Sequence, residues 1–275
     1  MRIGILTDLH LRQPGTAPDG WHNPHQFDTA RQRLTAVLDF LDTQRIDRIA
    51  VLGDLTHDGD DATFYDVLAI LATSPVPVWI VPGNHDLAID ASGLANAITN
   101  HAGQLEHLSG TVRPIADSWQ VAGLGIARVP DGYDIDPVPD ITAWKDAPTL
   151  VLSHFPLLSL KDEAIAAGLK YAGDPRNQQH LAIPLQARSA PTLVISGHLH
   201  IRHTQAIGPV LQVSCGAQIE SLFEVTVLDL TKWPDGIVRW QATAIEPVWP
   251  GIMPALSDPE QAWRWDGRSW QSLPS

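Results

Sequence analysis

Five short apolar runs in this chain each end in side chains able to bind a cation. Residues 2–7 lead into Asp8-Leu9-His10, and residues 48–52 lead into Gly53-Asp54. Residues 76–81 pass through Pro82 to Gly83-Asn84-His85-Asp86. Residues 149–153 end at His154, and 192–196 end at Gly197-His198-Leu199-His200. Carboxylate, imidazole and amide donors without a thiolate suit Mn²⁺, Fe²⁺/Fe³⁺ or Zn²⁺, not a sulfur-rich structural zinc site. Asp8 and His10 are one residue apart, as are His198 and His200. Extended backbone turns positions i and i+2 to the same side, so each pair can enter one cavity. A bent loop would allow a pair to divide between two ions.

Donors in this arrangement need strands that deliver them to one sheet edge. Segments 2–6, 48–52, 77–81, 149–153 and 192–196 are short, continuous and rich in Val, Ile and Leu. That pattern predicts strands covered on both faces. Helical spacing lies between several of them. Residues 29–43 place Leu34, Val37, Leu38 and Leu41 on one side, and Asp60 and Asp61 open a helix carrying Phe64, Val67, Leu68 and Leu71. A third stripe holds Leu94, Ala97 and Ile98. Strand and helix in alternation mean an α/β fold. Segments 119–129, 210–213, 223–230 and 237–245 read as antiparallel strands, the last two joined by a turn at Trp233-Pro234-Asp235-Gly236. Two sheets packed face to face, with helices outside, are expected.

Length and composition fit a domain of residues 1–246 with a Trp- and Pro-rich tail, 247–275. Six of the ten tryptophans lie at or after Trp233, so the tail reads as a final strand or arm over an apolar surface. The other reading is a contact with a partner subunit in a homodimer. The formal charge of −13 argues against a nucleic-acid polymer as partner, because a phosphate backbone selects a basic surface. No apolar stretch approaches the ~20 residues of a membrane span. Asp8 and His10 stand so early that cleavage of a signal sequence would remove them. The single cysteine, Cys215, forms no intrachain disulfide and reads as a small buried residue. A cytoplasmic location is expected.

The ordered blocks Asp-x-His, Gly-Asp, Gly-Asn-His-Asp, His and Gly-His-x-His span residues 8–200 and resemble the calcineurin-like metallophosphoesterase family. The resemblance implies a four-layer α/β/β/α sandwich with two mixed sheets and two metal ions (Mn, Fe or Zn) at the strand ends. Asp8, His10 and His200 would hold one ion and Asn84, His154 and His198 the other, with Asp54 bridging. A hydroxide between the ions would attack phosphorus in line. His85 would face the substrate, and Asp86 would orient its imidazole or cap a helix. Gly-Asp-Leu-Thr-His-Asp-Gly and Val-Pro-Gly-Asn-His-Asp look most like the bacterial branch acting on cyclic nucleotides and glycerophosphodiesters. The expected substrate is therefore a small phosphodiester. A phosphomonoesterase and a metal-binding scaffold are the other readings.

Substrate choice would lie in loop 12–28 and in insertion 157–188, a cap or specificity segment carrying Lys170, Tyr171, Arg176 and Asn177. His22 and His25 read first as exposed loop residues and second as substrate contacts. His57 either supports the site or caps a helix start. His101, His107, His180 and His203 carry no supporting pattern.

Overall fold

Strands buried on both faces form where β-branched and aliphatic residues run without interruption. The structure is a computed structural model describing residues 1–274 apart from 14, 16, 18, 88–92, 102, 145 and 247–249. Its first half contains β1 (Arg2–Leu6), α1 (Phe27–Thr43), β2 (Arg48–Leu52), α2 (Asp61–Leu71), β3 (Val78–Val81), α3 (Gly93–Thr99), β4 (Leu105–His107), β5 (Thr111–Pro114), β6 (Gln120–Gly123), β7 (Ile126–Val129) and β8 (Gly132–Ile135). Then come β9 (Thr149–Leu152), α4 (Lys161–Ala166), α5 (Gln179–Gln186), β10 (Thr192–Ser196), β11 (His203–Ile207), β12 (Val210–Ser214), β13 (Glu224–Leu230), β14 (Ile237–Ala244), β15 (Glu260–Trp265) and β16 (Trp270–Leu273).

One sheet of eight strands runs β16-β15-β14-β13-β1-β2-β3-β4, and one of six runs β11-β12-β10-β9-β6-β5. Both are mixed. β1, β2, β3 and β4 are parallel, whereas β13 to β16 add antiparallel partners at the other side. Side-chain alternation assigns the layers. Ile3, Ile5, Ala50 and Leu52 meet Leu150, Leu152, Leu193 and Ile195 between the sheets. The opposite faces of β1 to β3 pack on α1, α2 and α3 through Leu6, Ile49, Val51 and Ile80. Val151 and Val194 turn outward onto Leu181 and Leu185 of α5. This is the expected four-layer α/β/β/α sandwich.

Several elements differ from their expected form. Segment 119–129 breaks at Leu124-Gly125 into β6 and β7, and β6 runs parallel to β9 while opposing β5. β12 is parallel to β10 and antiparallel only to β11. An apolar run signals burial on both faces but not the direction of its neighbour. The hairpin of β13 and β14 forms as expected, and β15 and β16 extend the same sheet. Asp60 caps α2 by accepting the amide hydrogen of Thr63 at 2.9 Å. No helix among the described residues is long and apolar enough to cross a membrane.

Candidate metal centre

Parallel neighbours place their C-terminal ends on one sheet edge, where loops build a site. Asp8 and His10 follow β1, Asp54 follows β2, and Asn84, His85 and Asp86 follow β3. His154 follows β9, and His198 and His200 follow β10 in the facing sheet. The Asp-x-His and His-x-His pairs do not use extended backbone as expected. Asp8, His10, Asp54, His198 and His200 have φ of 54°, 45°, 50°, 69° and 56°, all in the left-handed region. Such conformations are costly for residues with a Cβ and cluster at functional sites. Hydrogen bonds carried past the strand ends hold them here: Asp8 N–H donates to Gly53 O (3.2 Å) and His10 N–H to Asp54 O (2.8 Å). Gly83 admits the close approach of Asp54, since a Cβ there would lie 2.1 Å from Oδ1.

Asp54 Oδ2 lies 3.5 Å from His10 Nε2 and 3.4 Å from His154 Nε2. His154 Nε2 is 3.0 Å from Asn84 Oδ1, and His200 Nε2 is 3.4 Å from Asp8 Oδ1. Two donors at roughly 2.0–2.2 Å from one ion stand about 3 Å apart at coordination angles between square and tetrahedral. The cluster meets that spacing. His10 Nε2 and His198 Nε2 are buried without a hydrogen-bond partner, which a cation would supply. Nδ1 of His154 bonds to the Leu52 carbonyl at 2.8 Å, leaving Nε2 for the cluster. Asp8, Asp54 and His154 form one buried group able to hold an ion, and Asp8, His10 and His200 form another.

Proton affinities follow from this crowding. Burial alone would lower His154 and His200, but Asp54 beside the first and Asp8 beside the second raise them to about 9 and about 10. Burial pushes His198 down to about 3, with His154 adding to the effect. Burial opposes ionisation of Asp54, yet His154 and His10 hold its carboxyl well below the usual range.

The expected contact between Asp86 and His85 is replaced by two others. Asp86 is fully buried and accepts amide hydrogens from Thr56 (3.0 Å) and Gly83 (2.9 Å), shaping the turn that presents Asn84. The ring of His85 is instead oriented by the His57 carbonyl, 2.7 Å from Nδ1. Backbone amides close to Asp86 compete better for its oxygens than a neighbouring side chain turned toward the cavity. His57 supports the site, with Nδ1 3.1 Å from Nδ1 of His10 and Nε2 3.1 Å from Asp19 Oδ2. Neither His22 nor His25 is exposed. His22 Nε2 meets the Leu199 carbonyl at 3.1 Å, and His25 stacks on His10 with ring centroids 5.4 Å apart.

A cavity of about 560 Å³ opens over the cluster, walled in part by Trp21, Tyr133, Phe155 and Arg176. From the insertion, Arg176 reaches this cavity. Asn177 instead holds the backbone of Ile135, Tyr171 bonds Asp174, and Lys170 lies over the Trp21 ring and bonds its carbonyl. Tyr133, Phe155, Asp19 and Glu220 were not apparent from spacing. Glu220 is the first charged residue after residue 203, and that isolation in an apolar stretch is a usable signal.

Comparison with known proteins agrees with this architecture. The model of the calcineurin-like phosphoesterase family matches residues 1–202. UDP-2,3-diacylglucosamine hydrolase of Xanthomonas campestris pv. campestris is 30% identical over 233 residues, covering 80% of this chain and 72% of its own length. Its name differs from the cyclic-nucleotide branch expected from the motifs. A dimetal phosphatase from Danio rerio superposes with a TM-score of 0.62 at 15% identity, covering 88% of this chain and 95% of its own. The protein TT1561 of Thermus thermophilus superposes with a TM-score of 0.54 at 19% identity, covering 83% and 93%. With the family pattern spread over both sheets and its histidines and aspartates buried at their shared edge, the chain belongs to the calcineurin-like phosphoesterase family.

Proposed function

We propose that the chain hydrolyses small phosphodiesters, of cyclic-nucleotide or glycerophosphodiester type, at a centre of two Mn, Fe or Zn ions. The single observation that carries this reading is Asp54 Oδ2, within 3.5 Å of both His10 and His154, a carboxylate oxygen placed to be shared. Asp8, His10 and His200 would hold one ion, Asn84, His154 and His198 the other, with Asp54 common to both. When bound, the ions would neutralise phosphoryl oxygens and make water acidic enough to serve as nucleophile near neutral pH.

The remaining work falls to the protein. His85 gives its Nδ1 hydrogen to the His57 carbonyl, so Nε2 is the atom left to hold a proton for the leaving oxygen. Asp86 fixes the backbone that carries His85 and Asn84. Trp21, Tyr133 and Phe155 offer apolar walls to the ester group, and Arg176 a cation at the rim. The 30% identity to a UDP-2,3-diacylglucosamine hydrolase favours a second reading, a nucleotide-linked substrate.

The test is kcat/KM of the Mn²⁺-loaded protein on bis(p-nitrophenyl) phosphate beside p-nitrophenyl phosphate. A diester preference is expected. A monoester preference would replace this reading with a phosphomonoesterase, and metal binding without turnover of either ester would point to a scaffold.

A further inference from the structure

Two of the histidines proposed as ligands of the first ion, His10 and His200, need their second ring nitrogen held if Nε2 is to face the metal. For His200 the holder is an acidic residue outside every motif block. Glu220 is fully buried, and its Oε1 lies 2.8 Å from His200 Nδ1. Its other oxygen accepts the Asn23 amide hydrogen at 2.5 Å, and Oε1 also lies 3.4 Å from the His22 amide. The carboxylate is itself fixed from behind. The Ile219 amide donates to the Asp8 carbonyl at 3.1 Å, and the Gln26 amide donates to the Ile219 carbonyl at 2.9 Å. Asn23 then reaches onward: its side chain bonds the Ser221 carbonyl and both the amide and carbonyl of Ile252.

We infer that Glu220 is a positioning residue for the first metal, holding His200 as the Nδ1–H tautomer with Nε2 toward Asp8 and tying that ring to loop 12–28. This inference rests on the proposed metal centre. A carboxylate on the far nitrogen fixes both ring orientation and tautomer and raises the basicity of the ligating nitrogen. It also links the loop, through Glu220 and His200, to the proposed ion. Whatever orders or displaces the Asn23 amide acts on the same carboxylate that orients His200.

Equilibrium dialysis of Mn²⁺ against wild type, Glu220→Gln and Glu220→Ala, with the metal counted by mass spectrometry, tests it. Wild type should take up two ions. In both variants one ion should bind ~10–100-fold more weakly while the other keeps its affinity. Unchanged affinity for both ions, or equal weakening of both, would overturn the positioning role. A wild type that takes up neither ion would remove the metal centre itself, a result distinct from any variant effect. Should the variants fail to fold, long-range ¹H–¹⁵N spectra of the Zn²⁺-loaded wild type decide the matter. A protonated Nδ1 and a zinc-shifted Nε2 at His200 are expected, and zinc on Nδ1 would overturn the inference.

Discussion

His85 and Asp54 differ in what their removal should take away. His85 lines the cavity and is held through Nδ1, so truncation would remove the proposed proton carrier and leave the proposed ligands in place. His85→Ala should lower kcat ~10²–10⁴-fold with metal content unchanged, read by steady-state kinetics beside metal analysis. Asp54→Asn should instead weaken both ions, because Oδ2 faces His10 and His154 together. A variant still holding two ions at wild-type affinity would refute the shared oxygen. Protons supply a second handle. His154 and His200 are raised to about 9 and about 10, so at pH 7 both hold a proton that a metal at the proposed centre would displace. Metal uptake at pH 7 should therefore release protons, and affinity should rise with pH until these groups titrate. For the metal-free fold the sign is opposite. The stabilisation from these two histidines is complete below ~6.5, the unfolded value, and is lost as pH rises through about 9 and then about 10. Calorimetry in buffers of different ionisation enthalpy would read the proton release, and proton-neutral uptake would contradict it.

At the scale of the element, turns between strand and donor decide whether the cluster closes. Gly83 is tightly confined: a methyl group there would lie 2.1 Å from Asp54 Oδ1 and 2.2 Å from its amide nitrogen. Gly83→Ala should destabilise the fold by about 1–3 kcal/mol in urea titrations, the usual range for overpacking, and should disturb metal stoichiometry through Asp54. The strands that carry the donors were legible because burial on both faces leaves a continuous aliphatic run, as in 48–52 and 192–196. β5 and β11 were not: Thr111–Pro114 is a four-residue strand whose apolar Val112 and Pro114 are the exposed positions, and His203–Ile207 runs three polar residues into two apolar ones with no period of two. The donor blocks were legible as well. Their bent backbone was not, because left-handed φ at His10 or His200 arises from hydrogen bonds across loops and not from residue type. The same holds for Glu220 and Asp19, whose roles depend on contacts between segments far apart in the chain.

Across the whole molecule the two ends of the sandwich have different duties. The C-terminal ends of β1, β2, β3, β9 and β10 carry the cluster. The opposite end is closed by tryptophans that bridge the sheets. Trp119, just before β6, donates its indole hydrogen to the Thr231 carbonyl beyond β13 at 3.0 Å. Trp270, at the start of β16, donates to the Pro209 carbonyl before β12 at 2.9 Å. Trp270 is 4% exposed and meets Trp265 with ring centroids 5.8 Å apart. It packs in the same apolar layer as Leu211, Leu228 and Trp240, so the last strand contributes to the core shared by both sheets. Trp270→Ala should therefore cost about 3–5 kcal/mol, the range for emptying a buried aromatic site, while the Pro209 carbonyl keeps the Thr192 amide as donor at 2.8 Å. Because the lost contacts lie at the end away from the cluster, the folded variant should still bind two ions and keep its KM. Urea unfolding beside metal counting separates the two effects. A variant that loses metal affinity under conditions where it remains folded would show that the strand ends do not hold their geometry independently of the tryptophan-closed end.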